Sequence, residues 1–159
     1  MKLKTSQNNQ FNIRKAVTED IPSLVRYNGA LAKETEDLNL DPAVLTKGVT
    51  KVLNNPSLGQ YFVAELNGEV LGQTLITYEW SDWRAGMFWW LQSVYVHPDH
   101  RSKGVFRAIY NHIEETATKQ PDVRGLRLYV MRHNQVGMKV YQKLSMENSG
   151  YIVYEKDFT

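Results

Sequence analysis

The chain has 159 residues, 19 Lys and Arg against 17 Asp and Glu for a net charge of +2, four His and no Cys. This length fits one domain with an ordinary core, so residues 1–159 are read as a single domain. The small, scattered positive charge and the lack of helix-turn-helix or finger spacing argue against nucleic acid as a partner, and the absence of Cys excludes disulfides, thiolate metal sites and a cysteine nucleophile.

Residues 1–10 are polar, lack the apolar core of a signal peptide and read as a flexible lead. Phe11 to Ala16 reads as a first strand. Thr18 or Asp20 then caps a helix that tolerates Pro22 near its start and runs to about Thr35, with Ile21, Leu24, Val25 and Leu31 as its buried stripe. Asp41-Pro42, a cap followed by proline at the first helical position, opens a second helix. Its apolar face is Val44, Leu45, Val49, Val52 and Leu53, and Asn54-Asn55-Pro56 ends it.

Tyr61 to Leu66 and Glu69 to Tyr78 flank Asn67-Gly68, the strongest short-range signal for a β-hairpin. A polar, Trp-rich connection from Glu79 to Gly86 leads to a long strand, Met87 to Val96. The aromatic cluster Trp80, Trp83, Phe88, Trp89 and Trp90 is read as core on alternate positions. Its apolar run is far too short to cross a bilayer. After the next loop, Phe106, Ile109, Tyr110, Ile113 and Ala117 recur at helical spacing. Pro121-Asp122 breaks the chain before a strand from Leu126 to Met131. Asn134 caps a last helix carrying Val136, Val140, Tyr141 and Leu144, and Tyr151 to Tyr154 reads as a closing strand. The order β-α-α-β-β-β-α-β-α-β, with adjacent hairpins and one helical crossover, implies an α/β (α+β) fold: a mixed, mostly antiparallel sheet flanked by helices.

The most informative segment is Ser93 to Phe106. It joins a β-rich strand, a His97-Pro98 turn and a short basic loop (Arg101, Ser102, Lys103, Gly104) to the start of a helix. A helix beginning there aims unpaired backbone N–H groups at one point, where the peptide dipoles add partial positive charge. That makes a phosphate seat, and Arg101 and Lys103 add full charges beside it. His97, His100, His112 and His133 show no paired metal spacing, so no metal is expected.

The element order and the Arg101-Ser102-Lys103-Gly104-Val105-Phe106 loop resemble the GNAT superfamily of N-acetyltransferases over nearly the whole chain. Val94-Tyr95-Val96, His97-Pro98, Arg101 and Gly104 match that family's strand and loop, and Asn134 with Tyr141 matches a second block. Phe106 departs from the pattern, standing where the family usually has Gly or Ala. Its backbone N–H is retained, and its ring is expected to swing towards the core. The region from Tyr78 to Val96 looks like the diamine and polyamine subgroup, except that Gln92-Ser93 replaces a Glu-Asp pair.

The resemblance implies acetyl-CoA as co-substrate. The loop amides from Arg101 to Gly104, with those of Val105 and Phe106, would hold its diphosphate. The Val94-Tyr95-Val96 strand would offer backbone groups to the pantetheine and polarise the acetyl carbonyl. Asn134 would add a cofactor contact, and Tyr141, whose phenol has a pKa near about 10, would protonate the departing thiolate. For the amine proton no base stands out. Gln92 holding a relay water is one candidate and Glu34 a second. The implied function is direct acetyl transfer to a primary amine of a small molecule by a cytoplasmic enzyme, with a homodimer suggested by analogy and no membrane partner. Two alternatives stand beside it: a non-catalytic acetyl-CoA-binding sensor, and an acetyltransferase acting on protein or peptide amines.

Overall fold

The computed structural model describes residues 10–158. The flexible lead expected at residues 1–10 lies, apart from Gln10, outside the described residues. The chain forms two compact units, the first ending at Leu128 and the second beginning at Tyr129.

In the first unit, β1 (Asn12–Lys15), α1 (Ile21–Glu36), α2 (Pro42–Asn54), β2 (Gln60–Leu66), β3 (Glu69–Ser81), β4 (Gly86–Val96), α3 (Val105–Thr118) and β5 (Val123–Arg127) follow one another. The five strands lie side by side in chain order. The first three pairings are antiparallel, and β4–β5 is parallel, with α3 as its crossover. The sequence explains most of this locally. Asn67 and Gly68, at φ 52° and 81°, supply the two positive φ values that a tight hairpin turn demands. Asp41 caps α2 by accepting from Ala43 N at 2.8 Å.

One face of the sheet buries Tyr61, Val63, Val70 and Tyr95 against Leu24 and Tyr27 of α1 and Val49 of α2. The other takes the apolar stripe of α3, where Ile109 and Ile113 have no exposed surface. Gly72 lets α3 approach closely, since a Cβ there would stand 3.0 Å from Tyr95 O and 3.1 Å from Val105 Cγ1. The first turn of α3 is thereby set directly beside β3 and β4.

Several expectations are corrected. Asp20 does not cap α1: it accepts from Arg14 at 2.7 and 3.0 Å and from Val17 N at 2.8 Å, closing a short 3-10 turn instead. Glu79 to Ser81 are strand rather than connection, because they pair with Gly86 to Phe88. Phe88 is core and Trp89 and Trp90 half-buried, but Trp80 and Trp83, at the hairpin tip, are 60% and 90% exposed. Val44 of α2 likewise faces solvent. The strand expected from Leu126 starts three residues earlier, since parallel pairing with Met87–Trp90 begins at Val123.

The second unit contains α4 (Gln135–Lys143) and then irregular chain. Asn134 caps α4 as expected, accepting from Gly137 N at 2.9 Å. Tyr151 to Tyr154 form no strand, and all four side chains are exposed. Their β propensity expresses a fit to a half-buried pleated surface, and no ladder is formed with them among the described residues.

Candidate active site

The site is built on the end of β4, the loop after it and the first turn of α3. Residues 98–100 form a 3-10 turn. Arg101 then folds back, its Nε donating to Val96 O at 2.9 Å. Ser102 and Gly104 both take left-handed backbone conformations, at φ 60° and 84°. Alternating handedness of this kind makes a concave nest of amides. Gly104 is the N-cap of α3, and no side chain caps the helix. The orphan N–H groups of a first turn therefore face the loop concavity, with Arg101, Lys103 and Arg107 exposed around them. A Cβ on Gly104 would meet nothing within 4 Å, so there is free space at the N-cap itself. This backbone, with its charge, fits the diphosphate of a CoA thioester. Phe106 is half-buried, and its ring lies 6.2 Å from that of Tyr110 one turn on. The bulky residue is thus accommodated along the helix.

Upstream, the β3–β4 ladder is interrupted. Gln73 pairs with Tyr95 and Leu75 with Gln92, so Ser93 and Val94 together oppose Thr74. Ser93 sits at φ 50°, a conformation that costs a residue with a Cβ about 1–2 kcal/mol. This is a β-bulge with its first residue left-handed, which takes one peptide out of the ladder and bends the strand. Gln92, beside it, donates from Nε2 to Thr77 Oγ1 at 2.5 Å.

Glu34, near the end of α1, reaches this region. Its Oε1 accepts from the Tyr95 hydroxyl at 2.9 Å and its Oε2 from Arg101 Nη2 at 2.7 Å. The Arg101 guanidinium also lies over the Tyr95 ring at 5.2 Å. Burial raises the Tyr95 phenol, the Glu34 hydrogen bond and charge add to this, and the Arg101 charge opposes it. Tyr95 in turn stacks on Tyr27 at 5.1 Å, whose hydroxyl donates to Val70 O at 2.5 Å. Glu34, Tyr95, Val96 and Arg101 thus form one cluster. Both oxygens of Glu34 are engaged there, one by the Tyr95 hydroxyl and one by the Arg101 guanidinium.

Asn134 and Tyr141 belong to the second unit. Tyr141 lies in the last turns of α4, and burial raises its hydroxyl above the ordinary phenol value. Among the described residues there is no cluster of three or more metal-ligating side chains, and no helix is long and apolar enough to cross a membrane.

Three residues at the site escape a reading of the sequence. Asn28, Tyr61 and Gln73 are buried together beneath the bulge. The available signal was polarity out of place: Asn28 stands four residues after Leu24 on the apolar stripe of α1, and Gln73-Thr74 interrupts the run from Val70 to Ile76.

A bulged strand feeding a nested loop and an uncapped helix start is the arrangement expected of an acyl-CoA-dependent transferase. The model of the acetyltransferase (GNAT) family matches residues 30–146, and the chain belongs to that family: it is an acyl-CoA-dependent acetyltransferase. It is 31% identical over 109 residues to acetyltransferase ECA0875 of Pectobacterium atrosepticum, covering 67% of this chain and 69% of that protein. Among solved structures it resembles a possible acetyltransferase from Clostridium difficile 630, at 40% identity and a TM-score of 0.87, over 94% of this chain and 99% of the other. It shares its fold with a predicted acetyltransferase from Clostridium acetobutylicum crystallised with acetyl-CoA, at 20% identity and a TM-score of 0.73, over 92% of this chain and 96% of the other.

Proposed function

We propose that the protein moves the acetyl group of acetyl-CoA directly onto a primary amine of a small molecule. The observation that carries this is the open, uncapped start of α3 beside a bulged β4. The amides of the first turn, with Arg101, Lys103 and the Ser102–Gly104 nest, take the diphosphate. Backbone groups of Val94 and Val96 pair with the pantetheine as an added strand. Acetyl-CoA supplies the activated thioester. The amine nitrogen attacks its carbonyl carbon, the new C–N bond forms and the C–S bond breaks. A backbone N–H of β4 stabilises the developing charge on the oxygen. Tyr141, by its family resemblance, gives its proton to the leaving sulfur; a phenol raised by burial stays protonated at neutral pH and is available for this. The amine proton leaves to solvent through a water held by Gln92, with Glu34 as the second candidate acceptor, and a solvent proton restores the Tyr141 phenol, so the balance is amine plus thioester to amide plus thiol. Asn134 adds a contact to the cofactor.

We place the acceptor among small primary amines in general, because Gln92 and Ser93 bring no carboxylate to bind a second ammonium. The family match runs from 30 to 146 across both compact units, which supports one functional domain over residues 1–159. A cytoplasmic homodimer belongs to the same reading: the absence of Cys supports the location, and the exposed Trp80 and Trp83 offer apolar surface for a second copy. Calorimetry with acetyl-CoA and CoA, then CoA release over aliphatic diamines, amino acids, aminoglycosides and short peptides, tests the reading. Binding with rapid release for an amine supports it. No heat at millimolar ligand overturns it.

A further inference from the structure

Gln73 has no exposed surface, and Asn28, Tyr61 and Thr74 around it are buried. A core position on an inner strand suits Leu or Val; an amide there needs a task. Its two Nε2 hydrogens are both used. One goes to Asn28 Oδ1 on α1 at 3.0 Å, the other to the main-chain oxygen of Ser93 at 3.2 Å. Asn28 in turn donates from Nδ2 to the Tyr61 hydroxyl at 3.0 Å. The left-handed Ser93 is therefore gripped at its carbonyl by β3, and that grip is itself braced by α1 and β2. Gln73 Oε1 and Thr74 Oγ1 are buried without a hydrogen-bond partner among the described residues. The polar cost is thus carried at the bulge and not spread through the sheet.

The geometry of one peptide gives the consequence. The Ser93 carbonyl and the Val94 N–H belong to the same planar trans unit and point in opposite directions. Whatever fixes the first fixes the second. With the Ser93 oxygen drawn towards Gln73, the Val94 N–H is held on the opposite side of β4. The bulge takes that peptide out of register with β3. We propose that Gln73 is a positioning residue: by holding the Ser93 carbonyl it aims the Val94 N–H at the acetyl carbonyl oxygen. This rests on the acetyl-CoA reading above and names the group that prepares the oxyanion donor for it. Strained backbone persists where its surroundings over-determine it, and Asn28, Tyr61 and Gln73 are those surroundings.

The test is the carbon-13 resonance of carbonyl-labelled acetyl-CoA bound to the full chain, with calorimetry of unlabelled CoA beside it. In the unsubstituted protein a directed N–H moves the bound carbonyl resonance downfield of its free position. Gln73→Met keeps the volume and removes both donors. The resonance is expected to return towards the free value, while the affinity for CoA changes less than about threefold. With any amine that turns over, kcat falls at least about tenfold, because a misdirected oxyanion donor retains only part of its effect. Asn28→Ala, which leaves Gln73 without its brace, gives an intermediate resonance and carries the test if Gln73→Met does not fold. A full downfield shift in whichever of the two folds overturns the role of Gln73 alone. No binding of acetyl-CoA to the unsubstituted protein overturns the acetyl-CoA reading and this inference with it.

Discussion

Gly104→Ala separates the backbone geometry of the phosphate loop from its charge. Gly104 stands at φ 84°, and a Cβ there meets nothing within 4 Å, so the substitution costs only the left-handed conformation of alanine, about 1 kcal/mol. For a chain of this size that corresponds to a fall in Tm of about 2–4 °C. The molecule contains a matched control in Gly68, at φ 81° with equally open space. Gly68→Ala at the hairpin turn, which lies outside the site, is expected to lower Tm by that full amount. The loop at Gly104 is free to relax before ligand arrives. Relaxation spares the free protein the strain, so Gly104→Ala lowers Tm less than Gly68→Ala, but the first amides of α3 then lose their aim and a bound diphosphate must supply the ~1 kcal/mol, about fivefold in Kd. Calorimetry with CoA therefore shows weakening approaching fivefold for Gly104→Ala and none for Gly68→Ala, with the smaller thermal cost at Gly104. Equal CoA affinities in the two variants would refute the view that the amides at the start of α3 hold the phosphates.

Tyr141→Phe keeps the packing of α4 and removes the proposed acid; kcat falls by on the order of 100-fold while the Kd for acetyl-CoA moves little, and unchanged turnover removes Tyr141 from the mechanism. Glu34→Gln releases Arg101 from a pair that is nearly half exposed (45% and 42%). Its effect on folding stays below about 1 kcal/mol, and CoA binds at least as tightly as before at low salt; a large loss of affinity would show that Glu34 organises the loop and does not compete for Arg101. Asp20 is pushed up by burial, but the hydrogen bonds from Arg14 and Val17 and the Arg14 charge outweigh this and hold it below its ordinary 3.8. Its contribution is therefore present above that value and lost as pH falls through the lower folded value. Denaturant midpoints followed from pH 6 downward are expected to fall more steeply for the unsubstituted protein than for Asp20→Asn; parallel curves would contradict the assignment.

Where local chemistry decides the structure, the sequence was readable. Asn67-Gly68 imposes its turn, Asp41 and Asn134 impose their caps, and Gly104 before an apolar helix marks the left-handed start of α3. All of these act within a few residues. The misread elements depend on partners far along the chain. The extension of β3 to Ser81 and the early start of β5 follow from pairing with β4. Tyr151 to Tyr154 have the residues of a strand but not its ladder. Glu34 reads only as a second candidate base until Tyr95 and Arg101, 61 and 67 residues away, are brought to it.

The bulge at Ser93 is the instructive case. No turn residue announces it: Leu91 to Val96 reads as uninterrupted strand, and a serine gives no warning of a left-handed φ. What gives it away is a second anomaly on another strand, an amide at Gln73 where the pattern calls for a hydrophobe. Each residue alone breaks a local rule. Together they cancel, because the unsuitable donor on β3 holds the unsuitable backbone on β4. A fold optimised for stability alone would place Gly at position 93 and an aliphatic residue at 73, removing both the strain and the buried polar atoms. Sequence rules fail in pairs of this kind where function has set the geometry. Ser102 repeats the pattern across the loop, with a second left-handed non-glycine residue beside the start of α3. The two lie nine residues apart on one continuous strand, loop and helix start, at the positions proposed to hold the reactive carbonyl and the diphosphate of a single ligand.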